Sequence, residues 1–141
     1  RPRYAEYLSQ FNKFYESKTR ILKDWREKPS LLDTLDEFSD GMCRSSAQLI
    51  RYRASFAARL ADEAAPIHSE FSGADEKLGI EYSTVSAVKD PTASAKEIFY
   101  DLCDHMEAHR RAFHKACRAR DISRRDRRVP DTAARRCAVR A

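Results

Sequence analysis

The chain has 141 residues, of which 35% are charged, and its net charge is +5. It contains no apolar run of the length that a signal peptide or a membrane span requires, so the sequence excludes a membrane protein and predicts a cytoplasmic one. The four cysteines form no Cys-x-x-Cys pair, which predicts reduced thiols rather than a disulfide framework.

The positive charge is concentrated at the C-terminal end. Residues 118–141 contain nine arginines and three aspartates, a net charge of +6, whereas the rest of the chain holds 18 basic and 19 acidic residues. This segment has neither lysine nor glutamate. The break in composition predicts an Arg-rich tail over 118–141 that is disordered or translated in a shifted reading frame.

The first predicted element is a helix over about residues 4–28. Its apolar side chains recur at alternating steps of four and three, which is the pattern of a heptad seam. Lys28-Pro29 ends the helix, because the residue before a proline is disfavoured in helical conformation. The seam consists of Tyr4, Leu8, Phe11, Tyr15, Lys18, Leu22 and Trp25, with Lys18 as its only polar member.

The second predicted element is a long helix over about residues 31–72, with Ser30 as its N-cap. About 40 residues at 1.5 Å each would give an arm on the order of 60 Å. A short turn joins the two helices, so we expect a long antiparallel hairpin, a coiled-coil arm. The first helix covers only part of the second, so the remainder should lie against another domain or a second copy. Pro66 should kink or restart the helix.

Ser72-Gly73 then predicts a turn, and two further elements follow. Leu78, Ile80 and Tyr82 alternate with polar residues, which predicts a short strand over about 77–86 without a partner in the chain. A third helix is predicted over about 94–117. The fold class is therefore mainly α: a helical hairpin, one short β segment, a third helix and a disordered Arg-rich C-terminus.

Histidines and cysteines of the third helix are candidate metal ligands. His105 and His109 are four residues apart and share a helix face, which suits a metal ion. However, Cys103 and Cys117 are nearly four turns apart, so one ion cannot collect the whole set, which also includes His114. We predict no metal site, and no nucleophile–base pair or carboxylate dyad indicates a catalytic residue.

Three arginines of the second helix are candidate DNA contacts. Arg44 and Arg51 lie near one face, and Arg59 is rotated from them; a solvated helix face is the alternative interpretation. In the tail, Arg124 to Arg128 could bind phosphates, but no aromatic residue is interleaved for base stacking.

One further set of residues runs along the predicted helices and the predicted strand. It consists of Leu22-Lys23, Leu31 to Asp36, Ile50, Arg53, Phe56, Leu60, Ala65-Pro66-Ile67-His68, Phe71-Ser72-Gly73, Glu76, Leu78 and Tyr82. In this set the chain resembles one family, the bacterial recombination-repair protein RecF, over residues 4 to about 111. The resemblance implies that residues 1–117 are a helical arm inserted into an ATPase head of the ABC type, which binds ATP and Mg²⁺. It also implies binding to gapped or single-stranded DNA, recombinational repair and the SOS response.

The sequence also departs from this family's pattern. It contains no Gly-x-x-x-x-Gly-Lys-Ser/Thr loop, and the signature and Walker B motifs are missing. We therefore interpret the chain as an incomplete product, cut at the front and out of frame at the back, that is not an enzyme and binds no nucleotide itself. Its expected partners are DNA, the missing ATPase head and other recombination-mediator proteins. The alternatives are a stand-alone helical-hairpin adaptor or dimerisation module, and a small DNA-binding protein that acts through its tail.

Overall fold

A computed structural model describes residues 2–73 and 76–126 of the chain. It contains the helices α1 (Pro2–Asp24), α2 (Leu35–Ser72) and α3 (Ala95–Asp126). The predicted mainly helical class is confirmed. Within the described ranges, none of the helices combines the length and the apolar character of a membrane span. The chain divides into two compact units, Arg1–Met106 and Glu107–Ala141.

The connection between α1 and α2 differs from the prediction. Helix α1 ends at Asp24 rather than near residue 28, and the Asp24 carbonyl accepts hydrogen bonds from the amides of Glu27 and Lys28 in a closing turn. A 3-10 helix, Pro29–Thr34, follows, so Ser30 does not cap α2, which begins at Leu35. Proline favours the first turn of a helix because it has no amide hydrogen to be satisfied there.

Helices α1 and α2 pack side by side in opposite directions. Tyr4 at the start of α1 contacts Tyr52, with 6.1 Å between ring centroids, whereas Phe14 contacts Phe38, further back in α2, at 6.5 Å. Residues with increasing numbers in α1 therefore contact residues with decreasing numbers in α2. The antiparallel hairpin is confirmed, while the supercoiled seam of a coiled coil stays a prediction.

Helix α2 continues through Pro66 and ends at a glycine. Gly73 has a φ of 68°, a left-handed conformation that is unfavourable for residues with a Cβ, and its amide donates to the Ser69 carbonyl. The predicted stop at Ser72-Gly73 is therefore confirmed.

The predicted strand over 77–86 is wrong. Residues 77–85 have no regular secondary structure, and no strand occurs in the ranges that the structure describes. The alternating pattern was present, but a strand also needs a neighbour to satisfy its amide and carbonyl groups. Instead, the segment is held by side chains, since Tyr82 packs against the core and Val88 is buried within it.

Helix α3 begins with a capping box that was not predicted from the sequence. The Ser94 hydroxyl accepts a hydrogen bond from the Glu97 amide at 3.2 Å. The Glu97 carboxylate in turn accepts a hydrogen bond from the Ser94 amide at 2.9 Å. The helix extends to Asp126, beyond the predicted end at 117. The remainder of the predicted tail, residues 127–141, lies outside the described residues.

The core joins α2 to the first half of α3. Ile98 has no solvent exposure and lies in a cluster that α2, α3 and the intervening loop build together. Helix α3 thus supplies part of the cover for α2 that was expected from another domain or from a second copy. The buried members of the cluster are Cys43, Ala47, Ile50, Val88, Ile98 and Leu102.

Candidate nucleic-acid interface

The C-terminal part of α2 extends past the start of α1. The first aromatic residue of α1, Tyr4, already contacts Tyr52, yet α2 continues to Ser72. We call residues 54–72 the α2 overhang. Four large apolar side chains on it are exposed: Phe56 (67%), Leu60 (45%), Ile67 (56%) and Phe71 (89%). At about 100° per residue, these four side chains lie on one side of α2.

An open cavity of about 530 Å³ lies where the overhang leaves α1. We call it the aromatic cavity. One of its walls is fixed by the Arg53 side chain, whose Nε donates a hydrogen bond to Tyr4 Oη at 3.2 Å. This hydrogen bond is the main cause of the raised pKa of Arg53, so its guanidinium remains charged. The cavity is lined by Tyr4, Tyr52, Arg53, Phe56, Arg59, Leu60 and Glu63.

Arg44, the first predicted DNA contact, is already engaged on the protein surface. Its Nε donates to Asp40 Oδ2 at 2.7 Å, and its guanidinium lies 5.2 Å from the centroid of the Phe99 ring. The hydrogen bond to Asp40 raises the pKa of Arg44. The side chain is nevertheless 71% exposed, so its remaining donors can reach a ligand in solvent.

Arg51 is exposed and lies seven residues after Arg44, which is close to two helical turns. The structure therefore brings Arg44 and Arg51 to one face of α2. Arg59 is rotated from Arg51 by about 80° and lines the aromatic cavity instead. Sequence reasoning did not identify Arg53 as part of a site, although its spacing from Phe56 is typical of neighbours on one helix face.

The second unit carries its own basic surface on α3. Arg110, Arg111, His114 and Lys115 line a shallow cavity of about 450 Å³, and we call these four residues the basic cluster. The Glu107 carboxylate accepts hydrogen bonds from Arg110 at 2.7 and 2.9 Å and from Arg111 at 3.0 Å. These hydrogen bonds lower the pKa of Glu107 to about 2. The cluster lies before the arginine patch that the sequence suggested, of which residues 127 and 128 lie outside the described residues.

Cys103 lies beside Cys43 of α2, which is not one of the candidate metal ligands. Its thiol is within hydrogen-bond reach of Cys43, whose pKa is raised to about 12, mainly because the side chain is buried. A thiol held protonated is a poor nucleophile and a poor metal ligand. In the part of the chain that the structure describes, no three His, Cys, Asp or Glu side chains are grouped to hold a metal ion.

Comparison with curated proteins finds similarity to DNA replication and repair proteins named RecF. The chain is 34% identical over 79 residues to the DNA replication and repair protein RecF of Agathobacter rectalis, which covers 56% of this chain and 22% of that relative. It is 31% identical over 83 residues to the RecF of Acetivibrio thermocellus, covering 59% and 22%. With the RecF of Bacillus velezensis it shares 31% over 94 residues, covering 66% and 25%.

Other comparisons give no match: no family model and no solved structure is similar to this chain. The chain spans about a quarter or less of the length of the curated relatives it matches. The resemblance to RecF that the sequence suggested is thus confirmed as a similarity over more than half of this chain.

Proposed function

We propose that this chain is a segment of a RecF-like DNA replication and repair protein and that it contacts DNA through exposed arginines. The observation that carries the proposal is the similarity to relatives whose common name is DNA replication and repair protein RecF. The exposed pair Arg44 and Arg51 on one face of α2 supports it, because guanidinium groups bind phosphate oxygens with two hydrogen bonds at once.

The spacing of the arginine pair suits a nucleic-acid backbone. Seven helical residues separate Arg44 from Arg51 by about 10 Å along α2. Phosphates on one DNA strand follow each other about every 3.4 Å along the axis, so the pair would span about three nucleotides. The basic cluster of α3 would add contacts of the same kind, although Glu107 partly neutralises Arg110 and Arg111.

In this proposal the chain acts in the cytoplasm at gapped or single-stranded DNA, in recombinational repair and the response to DNA damage. ATP and Mg²⁺ would be handled by a separate ATPase head and not by this chain, whose sequence has no Gly-rich phosphate loop. Calorimetry on the purified chain should then give no heat of ATP binding, and a micromolar affinity would refute this part of the proposal.

The proposal is tested with fluorescence anisotropy on a labelled gapped duplex. The variant Arg44→Gln/Arg51→Gln should bind more weakly and lower the slope of log affinity against log salt by about 1.4 to 1.8, because two phosphate contacts are lost. The matched control is Lys13→Gln/Lys23→Gln, which removes two exposed positive charges from α1. An equal loss in both variants would mean that only net charge matters and would reject the arginine face.

A further inference from the structure

We propose that Cys43 of α2 and Cys103 of α3 form an oxidation site, at which a hydroperoxide joins the two sulfur atoms in a reversible disulfide. Both thiols are free in the structure. Cys43 is a buried member of the cluster between the two helices, and Cys103 packs against that cluster. The two side chains lie within hydrogen-bond reach of each other. Formation of this disulfide does not require the DNA contact proposed above.

The packing of α2 against α3 holds the two cysteines opposite each other. Phe99, Cys103 and Met106 follow at steps of four and three along α3, so they share one helix face. Phe99 and Met106 pack against the buried cluster that contains Cys43. Arg44, the next residue after Cys43, lies with its guanidinium 5.2 Å from the centroid of the Phe99 ring. Because a disulfide forms only between cysteines that already lie close together, this arrangement meets its first requirement.

The surroundings of the two thiols give them different roles. Cys43 is 3% exposed, and burial is the main reason that its pKa is raised to about 12. Burial also raises the pKa of the half-buried Cys103, as do the charges of Asp40 and Asp104. The hydrogen bond with Cys43 and the charge of Arg44 lower the pKa of Cys103. Since the thiolate is the form that attacks a peroxide, Cys103 is oxidised first and Cys43 then closes the disulfide.

The reaction balances with a hydroperoxide as the oxidant. The Cys103 thiolate attacks the hydroxyl oxygen of the peroxide, the O–O bond breaks, and the leaving oxygen takes up a proton, so Cys103 becomes a sulfenic acid. The Cys43 sulfur then attacks the Cys103 sulfur, the S–O bond breaks, and the departing hydroxide leaves as water with the Cys43 proton. The two thiols lose two electrons, which the peroxide gains. A protonated thiol is a poor nucleophile, but contact with its target gives Cys43 a high effective concentration.

The disulfide would fix the first half of α3 on α2. It joins positions 43 and 103, sixty residues apart in the sequence and both within the unit Arg1–Met106. A cross-link that closes a long loop restricts the unfolded chain, so the oxidised chain should resist unfolding more than the reduced chain does. Because a reductant reverses the bond, the oxidation state of the pair would control how firmly the two helices are held together.

Peptide mapping of the full chain tests the disulfide directly. The chain is treated with hydrogen peroxide, its remaining thiols are alkylated, and it is digested with trypsin without a reductant. Cleavage after lysine and arginine places Cys43 in peptide 27–44 and Cys103 in peptide 97–110. We expect these peptides to be joined, with a mass about 2 Da below their sum, and to separate in dithiothreitol. Absence of the joined peptide in excess peroxide, or linkage mainly to Cys117 or Cys137, would overturn the proposal.

Cys43→Ala tests the order of the two steps. Without the second thiol, the sulfenic acid on Cys103 should accumulate, and its labelling by dimedone should rise about tenfold or more. The matched control is Cys117→Ser/Cys137→Ser, which keeps the pair and should show both the joined peptide and the low labelling. Equal labelling of Cys103 in the two variants, at equal helix content by circular dichroism, would contradict the role of Cys43.

Urea unfolding then tests whether the bond joins the helices as they pack in the structure. In Cys117→Ser/Cys137→Ser, peroxide should move the unfolding midpoint to a higher urea concentration, and dithiothreitol should return it. In Cys43→Ala, peroxide should produce no such increase. A midpoint that stays unchanged or falls once the joined peptide has formed would mean that the bond distorts the packing of α2 on α3, and would reject the proposed site.

Discussion

Gly41 shows how one residue determines the approach of α1 to α2. A Cβ built at Gly41 would lie 2.5 to 2.8 Å from three atoms of the Phe14 ring, a distance at which the ring must move. Glycine inside a helix costs about 1 kcal/mol relative to alanine, so its presence at this position needs a structural reason. The structure identifies close packing against Phe14 as the reason.

We predict that Gly41→Ala lowers the free energy of unfolding by about 1 kcal/mol. Alanine gains about 1 kcal/mol of helix propensity, but overpacking against Phe14 costs about 1–3 kcal/mol. Urea unfolding followed by circular dichroism measures the difference. In a Phe14→Leu background the substitution should be neutral or stabilising, and an equal loss in that background would exclude the ring as the cause.

Glu107 gives a second prediction at this scale, a pH dependence. Its pKa is lowered to about 2 by hydrogen bonds from Arg110 and Arg111. The pKa of Glu107 in the folded chain lies below its ordinary value of 4.5. The ionised Glu107 carboxylate therefore contributes fully to stability above about pH 4.5, and this contribution is lost as the pH falls toward 2.

Carboxyl NMR chemical shifts, recorded from pH 7 to pH 2, measure this pKa directly. The midpoint for Glu107 should move up toward its ordinary value in Arg110→Gln/Arg111→Gln. A midpoint near 4.5 in the unchanged chain would contradict the hydrogen-bonded arrangement.

At the scale of elements, the core between α2 and α3 gives the strongest expectation for stability. Ile98 is fully buried against residues of α2. Ile98→Ala should therefore lower the free energy of unfolding by about 2–5 kcal/mol, through lost burial and a residual cavity. Urea unfolding should show a change within about 0.5 kcal/mol for the exposed control Val85→Ala. A small effect of Ile98→Ala would mean that α3 does not pack on α2 as described.

The helices were predictable from the sequence to different degrees. Both α1 and α2 were predicted from the regular spacing of their apolar residues, because apolar periodicity is a local signal. The end of α1 was misplaced because a closing turn precedes Pro29. The strand was wrong since Leu78, Ile80 and Tyr82 show the right period, while the existence of a pairing neighbour is not a local property.

At the scale of the whole chain, the sequence predicted the antiparallel hairpin and the resemblance to RecF but not the role of α3. The buried cluster that contains Cys43, Ala47 and Ile98 joins residues that are far apart in sequence, and periodicity does not reveal which helix faces meet. The candidate site was predicted in part, since Arg44 and Arg51 share a face. Arg59 and Arg53 belong to a cavity that appears only once Tyr4 is placed beside Tyr52.

The central claim is that this chain contacts DNA phosphates through its arginines. The most direct measurement is the binding of a labelled gapped duplex by the intact chain, followed by anisotropy over a series of salt concentrations. Binding should be detectable at low salt, and log affinity should fall linearly with log salt with a slope of about −1.5 or steeper, as expected for two or more phosphate contacts. An affinity that does not change with salt, or no binding up to about 100 µM, the weak limit of non-specific DNA binding, would contradict the account.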